Sequence, residues 1–202
     1  REDKTLGVLG ESLFSFPEGV GFRKDNNVLL EQFNRFLAHL RQSGIHADMV
    51  DRWMTRRGRK MPELPTSGTK GTLVVGVSSG GFPFAAVQNN ELAGFDVELA
   101  TRFAAQIGKQ VRFADQEFSG LIAALVSGKI DLIIADMFVT EERQKQIDFS
   151  DPYFQQDSVA FTVKSNTVAP DAMAAAAPGR RSFVESVLAS FQSNIVHERR
   201  YL

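Results

Sequence analysis

Arg143 is the residue of this chain whose type and position best suit ligand chemistry. It follows Thr140, Glu141 and Glu142, an order typical of a helix start, in which a capping hydroxyl precedes carboxylates near the positive end of the helix dipole. A guanidinium in the first turn of such a helix can clamp a carboxylate or a phosphate through two parallel hydrogen bonds. The alternative is a surface arginine that pairs with a neighbouring Glu or Asp, and the residue types alone leave both interpretations open.

The elements that precede Arg143 place it at the edge of a predicted sheet. A short amphipathic helix, for which Ser119 is the expected N-cap, ends at Gly128. The nearly continuous apolar run from Ile130 to Ala135 then predicts a strand that is buried on both faces of a parallel sheet. A helix that begins just past the carboxyl end of such a strand is where open α/β sheets bind anions.

The composition is that of a globular protein without a bias towards nucleic acid. The 202 residues are 43% hydrophobic and 23% charged, and a net charge of -1 provides no overall basic field for a polyanion. The absence of cysteine excludes disulfides and thiolate metal ligands, and His39 and His46 have no third ligand at a metal-binding spacing. We therefore expect no metal, no cofactor and no nucleic-acid partner. The first residues, REDKT, and the last, HERRYL, are expected to be cuts inside a longer protein.

Strands and helices alternate along the chain. The pattern predicts strands at 5–9, 19–23, 72–77, 111–114 and 159–163, with a turn or crossover at 12–17. It predicts a helix capped by Asn26 or Asn27 and ended by Gly44, a shorter helix to about Met54, and a third helix that follows Gly94. This alternation predicts an α/β fold with a mostly parallel sheet flanked by helices.

Composition also divides the chain into segments. Residues 55–70 are a linker rich in charge, Pro, Gly and Ser, and residues 165–181 are a spacer rich in Ala and Pro. A capping box opens an amphipathic helix within 182–202, which ends in basic and aromatic residues, as juxtamembrane segments often do. We expect 17–54 and 71–164 to fold into one sheet, in which the strand at 19–23 runs antiparallel to its neighbours.

Four stretches resemble the solute-binding proteins of amino-acid ABC transporters: GTLVVGV, ELAGFDVELATRFAAQIG, EFSGLIAALVSGKIDLIIADMFVTEER and IDFSDPYF. The resemblance implies one lobe of the type II periplasmic-binding-protein fold, with the second lobe absent. Residues 1–54 resemble the C-terminal part of such a lobe, and residues 71–164 resemble its N-terminal part. The last stretch, FVESVLASFQSNIVHERRYL, is similar to what precedes the first membrane span in permeases that are fused to their binding domains.

The resemblance implies a set of ligand-binding residues. Arg143 matches the arginine that holds the α-carboxylate of the ligand, and Phe118 matches an aromatic residue that packs on the ligand side chain. The backbone N–H groups near Phe138 and Thr140 match donors to the same carboxylate.

Three positions depart from the pattern of that family. Gly81 stands where an aromatic residue is usual, although Phe82 is adjacent, and Phe138 stands where a Ser or Thr hydroxyl is usual. Asp136 stands where a small residue is usual. Its carboxylate could pair with the ammonium group of the ligand or repel the ligand carboxylate.

The function implied by the resemblance is that of an extracytoplasmic domain that binds polar amino acids for an ABC importer. Such a domain would lie in the periplasm or on the exterior of the cell envelope, attached to the inner membrane through its permease. Two alternatives stay open: a docking or regulatory lobe that has lost its site, and a dehydratase or lytic enzyme on the same fold. Because no acid and base are paired at catalytic spacing, we expect no enzyme and no catalytic residue.

Overall fold

The computed structural model describes residues 6–65 and 68–163, with side chains at 15–65 and 68–156. The chain divides into two compact units, Arg1–Ser15 with Asp157–Leu202 and Phe16–Gln156. Strand β1 (Leu6–Glu18) pairs with a strand at Phe154–Val163 in a two-stranded sheet. The turn predicted at 12–17 is therefore wrong, because the chain stays extended through this stretch up to Glu18.

A five-stranded sheet forms the centre of the unit Phe16–Gln156. Its strands are β2 (Gly21–Phe22), β3 (Thr72–Val77), β7 (Gln110–Asp115), β8 (Leu132–Ile133) and β9 (Asp148–Phe149). Their order is β7-β3-β8-β2-β9; β3 runs parallel to β7 and β8, whereas β2 runs antiparallel to β8 and β9. The predicted α/β class and the antiparallel direction of β2 are thus confirmed. Four of the five strands share one direction.

A third sheet, of three short strands, was not predicted. It consists of β4 (Gly80–Gly81), β5 (Ala85–Gln88) and β6 (Glu91–Ala93), which form an antiparallel meander. The strand that pairs with β1, at Phe154–Val163, is β10. The meander occupies the stretch between β3 and the third helix. Short strands with glycine at their ends carry too little apolar alternation to be predicted from sequence.

Of the three described helices with a predicted N-cap, two begin at that residue and one does not. They are α1 (Asn27–Gln42), α2 (Ile45–Val50), which continues as a π-helical turn at Asp51–Thr55, α3 (Phe95–Gln106), α4 (Leu121–Val126) and α5 (Glu141–Gln144). The Asn26 side chain caps α1 by accepting from the backbone N–H of Leu29. Ser119 does not cap α4, because it lies inside a 3₁₀ turn, Phe118–Gly120, that leads directly into the helix.

The core joins residues from both sides of the linker. The rings of Phe33 on α1 and Phe103 on α3 meet edge to face at 5.0 Å, and Phe22 of β2 packs on Phe33 at 5.9 Å. One sheet and one core therefore contain both 17–54 and 71–156. The assignment of these segments to the C-terminal and N-terminal parts of a lobe stays a prediction.

A buried carboxylate also links the two segments. Glu98 on α3 accepts from Arg52 at 2.8 and 2.9 Å, from the indole N–H of Trp53 at 2.7 Å and from Arg102 at 2.7 and 2.9 Å. A buried carboxylate is tolerated only when it is paired and hydrogen-bonded, and here both conditions are met. Glu98 thus fixes the end of α2 against α3.

The described residues contain no helix that is long and apolar enough to cross a membrane. The Ala/Pro spacer at 165–181 and the amphipathic helix predicted within 182–202 lie outside the described residues.

Candidate ligand-binding site

Arg143 lies in the first turn of α5, as its sequence neighbours predict. The Thr140 hydroxyl accepts from the backbone N–H of Arg143 at 3.3 Å, and Thr140 itself is extended, with φ -127 and ψ 151. Glu141 and Glu142 follow in the first turn, where negative charge is favourable. The cap therefore sets where the Arg143 side chain leaves the backbone.

The guanidinium of Arg143 is half-buried against an aromatic ring. Its Nη1 donates to the carbonyl oxygen of Phe138 at 2.8 Å, and its Cζ lies 5.1 Å from the ring centroid of Phe118. No ion pair within the described residues involves Arg143. Burial lowers the pKa of Arg143 and the charge of Glu142 raises it, and the guanidinium remains a cation, as arginine does in proteins. One of the five guanidinium N–H groups is thus used, and the others remain as donors.

The backbone beside Arg143 offers two further donors. The N–H of Val139 donates to Pro17 O at 2.9 Å, and Phe138 forms an antiparallel bridge with Glu18. Within the described residues, the N–H groups of Phe138 and Thr140 donate to no acceptor. A cation and two unused amides at one turn are a set of groups that can bind a carboxylate.

The predicted aromatic residues do not all lie together. Phe118 contacts Arg143, whereas the Phe138 ring packs on Phe16 at a centroid distance of 5.3 Å. Phe82 lies against Trp53 at 5.9 Å and under the guanidinium of Arg59 at 5.8 Å. Its described contacts are therefore with residues 53–59, and its place in the ligand site stays a prediction.

Asp136 occupies a backbone position that suits glycine. Its φ is +49, in the left-handed region where a side chain is unfavourable, and this explains why a small residue is usual there. Its backbone N–H donates to Asp96 Oδ2 at 2.9 Å and to the Tyr153 hydroxyl at 3.1 Å, and that hydroxyl in turn donates to Asp96 Oδ1 at 3.0 Å. Asp136 is thus held next to a second carboxyl group that is fully buried.

The acidic cluster of Glu18, Asp96 and Asp136 was not predicted. Burial first, and then the charge of Asp136, raises the pKa of Glu18 from 4.5 to about 11. Burial and the charge of Asp136 raise the pKa of Asp96 to about 8, although the hydrogen bonds from Tyr153 and from the Asp136 N–H act in the opposite direction. Because this pKa lies well above 7, Glu18 is a neutral acid at pH 7.

Sequence offered little signal for this cluster. Glu18 and Asp136 are 118 positions apart, and Asp96 has the sequence context of an ordinary acidic residue in the first turn of α3. The one available signal was a carboxylate at 18 and another at 136, each placed in an otherwise apolar extended stretch. Such residues are rarely buried without a specific arrangement.

No group of three or more His, Asp or Glu side chains is arranged to hold a metal ion in the part of the chain that the structure describes. His46 instead lies 2.7 Å from the carbonyl oxygen of Tyr153 through its Nε2 and packs edge-on against Phe95. His46 is therefore half-buried against the core residue Phe95.

Comparison with known proteins identifies the family. Residues 73–197 match the bacterial extracellular solute-binding proteins, family 3, and the chain belongs to that family. An arginine-binding extracellular protein of Bacillus subtilis is 37% identical over 102 residues, which cover 50% of this chain and 40% of that protein. A probable histidine-binding protein of Campylobacter jejuni is 38% identical over 95 residues, 47% of this chain and 37% of that protein. The chain thus spans about two-fifths of the length of these relatives.

Solved structures with similar sequence include arginine-binding proteins. An ancestral arginine-binding protein bound to arginine is 51% identical, with 42% of this chain and 38% of that chain covered and a TM-score of 0.41. The arginine-bound form of domain 1 of the T. maritima arginine-binding protein is 40% identical, with 48% of this chain and 84% of that chain covered and a TM-score of 0.42.

Proposed function

We propose that this chain is an extracytoplasmic amino-acid-binding part of an ABC importer, in which Arg143 binds the α-carboxylate of the ligand. The observation that supports this most is the environment of the guanidinium: it lies over Phe118, uses one N–H on Phe138 O, and stands next to two unused backbone N–H groups. This is how a carboxylate is bound by a planar donor pair together with amides at a helix start.

The relatives support amino acids as the class of ligand. Proteins that bind arginine, histidine and cystine are 34–38% identical to roughly half of this chain. An α-carboxylate is common to these three ligands, and Arg143 with the amides of Phe138 and Thr140 would recognise that common group. Phe118 would then pack on the ligand side chain.

Binding by this chain alone should be weak. A hydrogen bond to a charged group contributes about 1.5–3 kcal/mol, so two bonds from Arg143 and one from each amide contribute about 6–12 kcal/mol. Association itself costs on the order of 4–15 kcal/mol in lost translational and rotational freedom, whereas micromolar affinity needs about 8 kcal/mol net. We therefore expect millimolar affinity unless further residues close over the ligand, as lobe closure does in binding proteins.

The chain is further proposed to belong to a polypeptide that fuses binding domain and permease. The support is the similarity of the C-terminal stretch, residues 182–202, to the segment before the first membrane span of such fusions. In this arrangement the domain lies in the periplasm or on the envelope exterior, is attached to the inner membrane, and has the transmembrane domain of the permease as its partner.

A second candidate function is a docking or regulatory lobe that no longer binds ligand. The observation that favours it is the acidic cluster, since a carboxylate at position 136 lies two residues from the proposed amide donor of Phe138. Negative charge there opposes a ligand carboxylate. The Phe138 side chain, which packs on Phe16, also supplies no hydroxyl donor.

A ligand screen distinguishes the two candidates. The whole chain is melted in the presence of each of the twenty amino acids at millimolar concentration, because a true ligand stabilises by mass action. Capture predicts a higher melting temperature with at least one amino acid, which is lost in Arg143→Ala and kept in Arg112→Ala, an exposed arginine on β7. If no amino acid raises the melting temperature, the capture function is wrong for this chain and the docking function is favoured.

A further inference from the structure

A cavity of about 440 Å³ opens between α1 and the end of α3, away from Arg143. From α1 it is lined by Gln32, Arg35, Phe36 and His39, whose spacing places them on one face of the helix. Lys70, Gln106 and Ile107 complete it from the other side. We propose that this cavity is a second ligand site, which binds a small organic anion through Arg35 and Lys70.

The charges around the cavity are of one sign. Arg35, His39 and Lys70 contribute basic groups, and no lining residue is acidic. Arg35 does approach Glu31 at 3.6 Å, but both side chains are highly exposed, at 69% and 67%. An exposed pair of this kind contributes little, so Arg35 can turn to a ligand at small cost.

The position of Lys70 is determined by the backbone. Its N–H donates to Gly108 O at 2.8 Å, which ties the end of the linker to the turn after α3. Gly108 has a φ of +74, and a Cβ at that position would lie 3.1 Å from Lys70 Cδ. Because glycine has no Cβ, Gly108 leaves room for the Lys70 side chain to pass beside it.

The floor of the cavity is apolar. Phe36 is almost completely buried and Ile107 is half-buried, and both belong to the core that α1 and α3 share. An anion with a hydrophobic body would contact this floor while its charged group meets the basic side chains. The volume lies within the range of about 300–1,000 Å³ that small-molecule sites occupy.

This cavity is distinct from the Arg143 site because the two lie at opposite ends of the strands of the sheet. Lys70 precedes β3 and Ile107 precedes β7, whereas Phe118 follows β7 and Arg143 follows β8. Thr72 pairs with Gln110 at one end of these strands and Val77 pairs with Asp115 at the other. The two ends of these six paired residues are about 17 Å apart, at 3.3 Å per residue.

The test is an NMR titration of the whole chain with three probes and a neutral control. Benzoate and phenyl phosphate present a carboxylate and a phosphate on the same ring, inorganic phosphate lacks the apolar body, and benzyl alcohol lacks the charge. We expect saturable shifts at the amides of 32–39 and 106–108 with one or both aromatic anions. The better of the two identifies the anionic group, and inorganic phosphate should bind more weakly than phenyl phosphate.

Charge substitutions then test whether Arg35 and Lys70 bind the anion. Arg35→Gln with Lys70→Gln should weaken the better anion at least about tenfold, because each lost charge removes a charge-assisted hydrogen bond. The matched control, Arg112→Gln with Lys129→Gln, removes the same charge elsewhere and should leave the affinity unchanged, as should Arg143→Ala. The proposal is overturned by an absence of saturation with both aromatic anions, by benzyl alcohol binding as tightly as they do, or by binding that survives the double substitution.

Discussion

Replacement of Glu18 by Gln should make the protein more stable at alkaline pH. Glu18 is fully buried, and burial with the neighbouring Asp136 raises its pKa from 4.5 to about 11. The folded state therefore holds a proton that the unfolded state releases above pH 4.5. The stability contributed by this proton is complete below pH 4.5 and is lost as the pH rises towards 11. Gln keeps the shape of the protonated acid and can donate to Asp136 without titrating.

The expected magnitude follows from proton linkage. Between pH 4.5 and 11, the titration of Glu18 lowers the free energy of unfolding by about 1.4 kcal/mol for each pH unit. At pH 7, which is 2.5 units above the ordinary pKa of 4.5, the loss reaches roughly 3 kcal/mol. Glu18→Gln removes this slope, so the two proteins should be equally stable near pH 4.5 and diverge above it. For a chain of this size, 3 kcal/mol corresponds to roughly 6–12 °C in melting temperature.

Urea unfolding followed through Trp53, the single tryptophan, measures the effect between pH 5 and 9. His46, whose pKa burial lowers, adds the same pH dependence to both proteins and cancels in the difference. The charge of Asp96 acts on Glu18, but below its raised pKa of about 8 Asp96 is protonated in the folded state and contributes equally to both proteins. Glu91→Gln, on an exposed strand residue, is the matched control and should follow the parent profile. If the free energy of unfolding varies with pH in the same way in the parent and in Glu18→Gln, or if the variant is less stable at pH 8, Glu18 is not a buried neutral acid.

Three further predictions concern the site and its support. Asp136→Gly should relieve the backbone strain at φ +49, worth about 1 kcal/mol, and so raise the melting temperature. It should also strengthen amino-acid binding measured by calorimetry, and weaker binding would show that the Asp136 carboxylate helps to bind the ligand. Arg143→Lys should lose most ligand stabilisation, since an ammonium cannot form two parallel hydrogen bonds to a carboxylate, whereas Phe118→Ala should lose less; equal losses would contradict the assigned roles. Glu98→Ala should lower the free energy of unfolding by about 3–5 kcal/mol in urea, since it leaves Arg52 and Arg102 without their carboxylate; a loss below 1 kcal/mol would contradict its role in joining the segments.

The elements that sequence predicted well are those whose signals are local. Asn26 caps α1 and Thr140 caps α5, because a cap is a hydrogen bond between a side chain and a backbone N–H three residues away. The apolar residues of the run from Ile130 to Ala135 are buried, although only Leu132 and Ile133 pair as a strand. Local sequence signals of this kind also predicted that Arg143 lies in a first helical turn, with its guanidinium close to the helix start.

Contacts between distant residues decided the rest. The cap at Thr140 directs Arg143, but only the packing of Phe118, from the turn after β7, shows that the guanidinium lies over a ring. Phe82 is adjacent in sequence to the position where the family has an aromatic residue, yet its ring packs on Trp53 from across the linker.

The acidic cluster shows most clearly what sequence does not contain. A pKa depends on burial and on the charges within a few ångströms, and for Glu18 those charges come from Asp136 and Asp96, far along the chain. The left-handed backbone at Asp136 is likewise set by the turn between β8 and α5, together with the hydrogen bonds that its N–H makes to Asp96 and Tyr153. Residue types thus determined which groups could bind an anion or a proton, and tertiary packing decided which of them meet.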